Sequence, residues 1–183
     1  MRSASIGAVA LALFLGIAVG CGQAASPPPS THAATSHDEF VAAACAAFDE
    51  LDAAIGNLDA NTGSTLSKAL DSAVGSGDVT TANRIADESI GRLEAGRRYL
   101  AIAGGWEPGG AMAVASDRFF LVSEVLVNGK RAGAATRDVQ AGEAAFEKAG
   151  GMEAWQGMLT AAGAIQLPPG SSPKPCPNVA VQL

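Results

Sequence analysis

The sequence predicts an all-α fold, a bundle of four principal helices plus one or two short ones. Three observations carry this expectation. Apolar residues recur at helical spacing through most of the chain, with no strand-like alternation and no internal repeat. Glycine pairs and Ser or Asp caps divide the periodic stretches into segments of helix length. The hydrophobic fraction is 48% but much of it is alanine, and aromatics make up only 5%, so the helices must approach closely over small side chains.

The first element is excluded from the fold. Residues 1–20 carry one charge, Arg2, ahead of an apolar run from Ile6 to Val19. That run is shorter than the roughly 20 residues a spanning helix needs, and it ends in small residues, the order of a secretory signal peptide. Ala18-Val19-Gly20-Cys21 resembles the lipobox of bacterial lipoproteins, with Ala18 where leucine is usual. The resemblance covers the signal region alone. It implies cleavage before Cys21, a thioether-linked diacylglyceryl group with palmitate-type acyl chains on that residue, and stable membrane anchoring by two or three chains. The alternative is ordinary cleavage after Ala24 or Ala25, without lipid. Removing residues 1–20 moves the formal charge from −6 to −7 and leaves 163 residues, enough for one domain. An acidic chain has no basic surplus to offset phosphates, which argues against a nucleic-acid partner.

Residues 21–35 comprise Cys21 and a linker of small residues and prolines without apolar period, the composition of a solvated tether. The helical domain is expected over residues 36–167. Ser36 and Glu39 form a capping box, and Phe40, Ala44, Phe48, Leu51 and Ile55 then fall on one stripe. Gly56-Asn57 and Asn61-Thr62-Gly63 close that helix. A short second helix runs through Leu66, Ala69, Leu70, Ala73 and Val74 to Gly75-Ser76-Gly77. Asp78 caps a longer third helix, with Ala82, Ile85, Ala86, Ser89, Leu93, Gly96, Leu100 and Ala103 inward and Gly104-Gly105 as its stop. Arg84, Glu88 and Arg92, and Glu94 and Arg98, are spaced four apart on its outer face.

Pro108 leads into a fourth helix from Met112 to Val127, apolar on most faces and therefore expected to be the most buried. Whether it passes Asn128-Gly129 is left open by the sequence. Thr136 to Ala149 reads as a further helix with Val139, Gly142 and Phe146 inward, and Met152, Trp155, Leu159 and Ala162 mark the last. Residues 168–183 form a proline-rich tail that includes Cys176. With Cys21 carrying lipid, Cys45 and Cys176 remain as an even pair, expected to oxidise outside the cytoplasm and tie the tail to the bundle. The alternative is two free thiols.

Residues able to do chemistry are few. The two histidines, His32 and His37, stand at or before the first helix, and Tyr99 is the single tyrosine, so a His-containing triad inside the fold has no candidate. No metal-ligand spacing, haem attachment or phosphate-binding loop occurs, and no catalytic residue or cofactor is expected. His37, Asp38 and Glu39, which with Asp49 or Asp52 would be the only metal grouping, are explained as a helix start. Arg92, Arg97, Arg98, Tyr99 and Trp106 are the one local cluster that hints at recognition, since guanidinium groups clamp anions and aromatics stack on ligands. The structural alternative is that the cations complement a helix C-terminus while Trp106 plugs the bundle's end.

The expected protein is a non-catalytic lipoprotein, anchored through Cys21 on the extracytoplasmic face of the cell membrane or outer membrane. Its partner is an envelope protein or small molecule. The competing expectation is a structural or antigenic envelope component without a specific ligand.

Overall fold

The computed structural model describes residues 32–56, 63–176 and 179–183, with backbone only at 179–182. Cys21, the signal peptide 1–20 and most of the linker lie outside the described residues. Six helices follow in order: α1 His37–Ile55, α2 Thr65–Ser76, α3 Val79–Ala103, α4 Gly110–Gly133, α5 Ala141–Lys148 and α6 Gly151–Gly163. The chain is an all-α bundle in which α1, α3, α4 and α6 are the principal helices. None of the described helices is long and apolar enough to cross a membrane.

Local chemistry sets the helix starts. Ser36 Oγ accepts the Glu39 N–H at 3.3 Å, while the Glu39 carboxylate reaches back to Thr35, accepting its N–H at 2.7 Å and its hydroxyl at 2.9 Å. Those bonds hold Glu39 below the ordinary carboxylate range. The capping box thus closes one residue earlier than its simplest form. Packing begins earlier too, because Ala34 is buried and its N–H donates to Ile102 O at 2.9 Å. Ser64 caps α2 and Asp78 caps α3, each accepting the N–H three residues on.

All eight residues expected inward on α3 are buried, and so is the five-residue stripe of α1. These two helices run antiparallel, crossing where a Cβ on Gly96 would sit 3.1 Å from Ala47 O. Helix α4 lies against α1, α2, α3, α5 and α6. It is nonetheless not apolar and buried all round: Val114, Leu121 and Val125 are exposed at 74%, 41% and 38%. It runs unbroken through Asn128-Gly129, for a packing reason. A Cβ on Gly129 would lie 2.8 Å from Ala141 O and 2.9 Å from Ala145 Cβ, so glycine there admits α5.

The helix expected from Thr136 begins later. Residues 134–136 form a 3₁₀ turn, Arg137 takes a left-handed φ of 58°, and Asp138 Oδ1 accepts the Gln140 N–H at 3.0 Å. This reversal turns the chain back onto α4 and leaves Val139 41% exposed rather than inward. On α6 the buried residues are Gly151, Ala154, Met158 and Ala162, while Met152 and Leu159 face solvent. Two apolar stripes compete on this helix, and the small-residue one seats against its neighbours. Trp155 straddles both, its ring 5.3 Å from that of Phe119.

The tail holds a feature that alternation did not reveal, a two-stranded antiparallel hairpin of β1 Pro175–Cys176 and β2 Val179–Gln182. Cys176 is bonded to Cys45 of α1, with Cα atoms 5.2 Å apart and a sequence separation of 131. The tail is tied back as expected. Leu183 is buried at its end, and Lys174 pairs with Asp38 at 2.7 Å.

Candidate functional site

Helix α3 carries the arginines singled out in the sequence, and its geometry separates them. Arg92 and Arg97 are five residues apart, which turns them about 140° from each other around the helix. Arg92 faces α1, its Nη1 3.1 Å from Glu50 Oε2. Arg97 faces α4, with Nε 2.7 Å from Asp117 Oδ1, Nη2 3.4 Å from Asp117 Oδ2 and Nη1 3.5 Å from Glu124 Oε1. Arg98 is exposed and Tyr99 half-buried against the core. Trp106 is buried, its ring 5.0 Å from Phe40 and 5.3 Å from His37. The five residues do not form one patch. Trp106 closes the end of the bundle, and Arg97 is occupied by two carboxylates.

Each arginine instead lines its own depression. Arg97 borders a shallow hollow of about 250 Å³ with Leu100, Gly104, Ala113, Val114 and Asp117. Arg92 borders an open cleft of about 630 Å³ where the end of α1, the start of α2 and the middle of α3 meet. Its polar lining comprises Asp52, Ser64, Thr65, Lys68, Glu88 and Arg92. Lys68, Arg92 and the first turn of α2 offer positive potential, Asp52 and Glu88 negative. Arg92 Nε is enclosed yet makes no hydrogen bond among the described residues. Burial, reinforced by Asp49, raises the Asp52 carboxyl above the ordinary carboxylate value.

Ser64 is the lining serine nearest to a nucleophile's chemistry, but its hydroxyl is engaged. It donates to Ala54 O at 3.2 Å and accepts the Ser67 N–H at 3.0 Å. The described lining holds no histidine, cysteine or tyrosine. No group of three or more metal-ligating side chains gathers among the described residues. What the cleft can do is hold opposite charges of a polar ligand at separate points.

Lys68 escaped the sequence reading, and Glu88 and Asp52 entered it only as an outer-face residue and a possible metal ligand, because nothing local marks them as lining one cleft. They converge only when α2 folds onto α1 and α3. The same holds for Lys130, which is 6% exposed and reaches Asp71 Oδ1 at 2.6 Å and Ser67 Oγ at 3.5 Å, joining α4 to α2. The burial of α5 over its stem, with a Cβ on Gly142 falling 2.4 Å from Lys130 Cγ, marks it as a structural strut. Glu124 is raised by burial, an effect that outweighs its pairing with Arg97.

Comparison with protein-family models, curated proteins and solved structures finds no match.

Proposed function

We propose that the chain is a lipoprotein anchored through Cys21 at the extracytoplasmic face of a bacterial envelope membrane, and that its bundle is a non-catalytic binding module. The ligand is a polar small molecule, or a segment of an envelope protein, that carries both charges. The observation that supports this most is the Arg92 cleft, which brings cations and carboxylates from three helices to one opening. Its polar lining suits charge recognition rather than the capture of an apolar molecule. The disulfide agrees with an oxidising compartment, where a second cysteine pair partner for Cys21 is not needed.

Ligand-observed NMR with free amino acids and dipeptides as probes tests the cleft. Saturation transfer is expected with the wild-type chain and is expected to fall at least five-fold in the Arg92→Ala/Lys68→Ala double variant. Both side chains are solvent-accessible and the Arg92–Glu50 pair is worth about 1 kcal/mol or less, so melting should shift little. Equal signals from both proteins, or none from either, remove the cleft as the site. Anchoring is tested separately by fractionation: wild-type chain is expected in the membrane pellet and Cys21→Ala in the soluble fraction. A Cys21→Ala protein that still pellets, or a mature mass without acyl chains, refutes the lipoprotein assignment.

A second reading has its own support. The bundle interior is filled by Phe40, Phe48, Phe119, Phe120 and Met158, all essentially inaccessible. A filled core with open surface clefts suits a structural envelope component with no specific ligand, and it predicts the negative NMR result.

A further inference from the structure

Helix α2 supplies one wall of the Arg92 cleft, and its two ends are held by different means. Leu70, Ala73 and Val74 bury the later part, whereas none of residues 65–69 is fully buried. The cleft is lined by that earlier part, through Thr65, Leu66 and Lys68 together with the capping Ser64. A helix of twelve residues has little stability of its own, so a first turn with weak apolar anchorage frays unless polar ties hold it. Ser64 provides one such tie, donating to Ala54 O at 3.2 Å. Lys130 of α4 provides another, its Nζ lying 2.6 Å from Asp71 Oδ1 and 3.5 Å from Ser67 Oγ.

We propose that Lys130 is the positioning residue of the Arg92 cleft: it fixes the start of α2, and with it the placing of Ser64, Thr65 and Lys68 opposite Arg92, without itself touching the ligand. The proposal rests on the reading of that cleft as the binding site.

The energetics of the Lys130 pair favour this role over simple packing. Its side chain is 7% exposed while that of Asp71 is 46% exposed, so the buried member of the pair is the cation. Enclosing an ammonium is costly, and a methionine of similar shape would fill the same space without that cost. What the ammonium adds is a fixed point of attachment for α2. Helix α5 makes that point rigid. It lies so close over the stem that a Cβ on Gly142 would collide with Lys130 Cγ, and Glu143 stands 3.9 Å from Nζ as a second, weaker partner. A side chain locked by its surroundings delivers its head group to one place, as support for a binding site requires.

Ser67 passes this constraint to the cleft. Its hydroxyl accepts from Lys130, and its N–H donates to Ser64 Oγ at 3.0 Å, so the strut and the helix cap meet on one residue. The next N–H, that of Lys68, donates to Ser64 O at 3.0 Å. Ser64 and Lys68 both line the cleft, and they stand on either side of the residue that Lys130 holds.

Hydrogen exchange of the full chain, resolved by mass spectrometry, tests the strut directly. Lys130→Met keeps the stem and removes the ammonium. It is expected to speed exchange over residues 64–70 at least five-fold, with a smaller change over residues 93–100 of α3. Asp71→Asn, at a half-exposed position where no core packing is lost, is expected to speed the same segment at least three-fold. Titration with glycylglycine reads the consequence: affinity is expected to fall at least five-fold in Lys130→Met. Unchanged exchange over 64–70 in both variants overturns the proposal. So does a rise of equal size in α3, which would make Lys130 a general stabiliser, and so does wild-type affinity in Lys130→Met. A wild-type chain that binds no glycylglycine removes the binding reading instead, and the exchange comparison then decides alone whether Lys130 sets the α2 wall.

Discussion

Replacing Cys45 and Cys176 by alanine is expected to destabilise the domain by about 3–5 kcal/mol, the larger value being the chain-entropy limit for a loop of this length. In melting temperature that is a fall of roughly 10–20 °C. The structure explains why so much rests on one bond. Apart from the disulfide, the tail is held by the packing of its short strands on α1 and α6, by the buried Leu183 and by an ion pair between Lys174 and Asp38 whose side chains are 50% and 76% exposed. Exposed pairs of that kind contribute little, because solvent screens them. Much of the hairpin's bonding is internal, Lys174 and Leu183 exchanging backbone hydrogen bonds. Differential scanning calorimetry of the oxidised, reduced and double-alanine proteins makes the comparison. A double-alanine variant that melts within 3 °C of wild type shows that the tie does not stabilise the bundle.

Two glycines on α3 are expected to respond to the same substitution with opposite sign. Gly→Ala in a helix interior normally stabilises by about 0.5–1 kcal/mol. Gly91→Ala should do so, because a Cβ there meets nothing within 4 Å. At Gly96 the Cβ would fall 2.2 Å from Phe120 Cε1 and 3.1 Å from Ala47 O. Phe120 is inaccessible and packs with Phe48 across a centroid distance of 6.4 Å, so it has nowhere to turn. Gly96→Ala should cost about 2–3 kcal/mol and Gly96→Val more. Chemical denaturation of the three variants settles it: a stabilised Gly96→Ala would mean that α1, α3 and α4 do not meet as closely as described.

Gly96 and Gly129 show what the sequence alone can and cannot reveal. Gly96 falls on the periodic inward stripe of α3, so its role in close approach was legible beforehand. Gly129 looked like a possible break, because a glycine after Asn128 is ambiguous until α5 is seen lying across it. The apolar stripes of α1 and α3 were legible, since most of their large apolar residues keep one helical period while the rest of α1 is mainly alanine and carboxylates. Helix α6 offered two apolar stripes, and only the shape of its neighbours chose Ala154, Met158 and Ala162 over Met152 and Leu159. On α4 high average hydrophobicity masked a division into a buried face and an exposed one. The disulfide followed from counting thiols, whereas the Arg92 cleft depends on where α2 comes to rest.

The early burial of Ala34 has a consequence for posture. The chain joins the bundle at the end formed by the start of α1 and the close of α3, and its backbone bond to Ile102 fixes that root. Ala34 stands thirteen positions after Cys21, so an anchor at Cys21, as proposed, would hold that root on a leash of at most about 45 Å. Helix α4 is about 36 Å long, less than that reach, so a bundle anchored as proposed would have room either to stand on end or to lie flat along the bilayer.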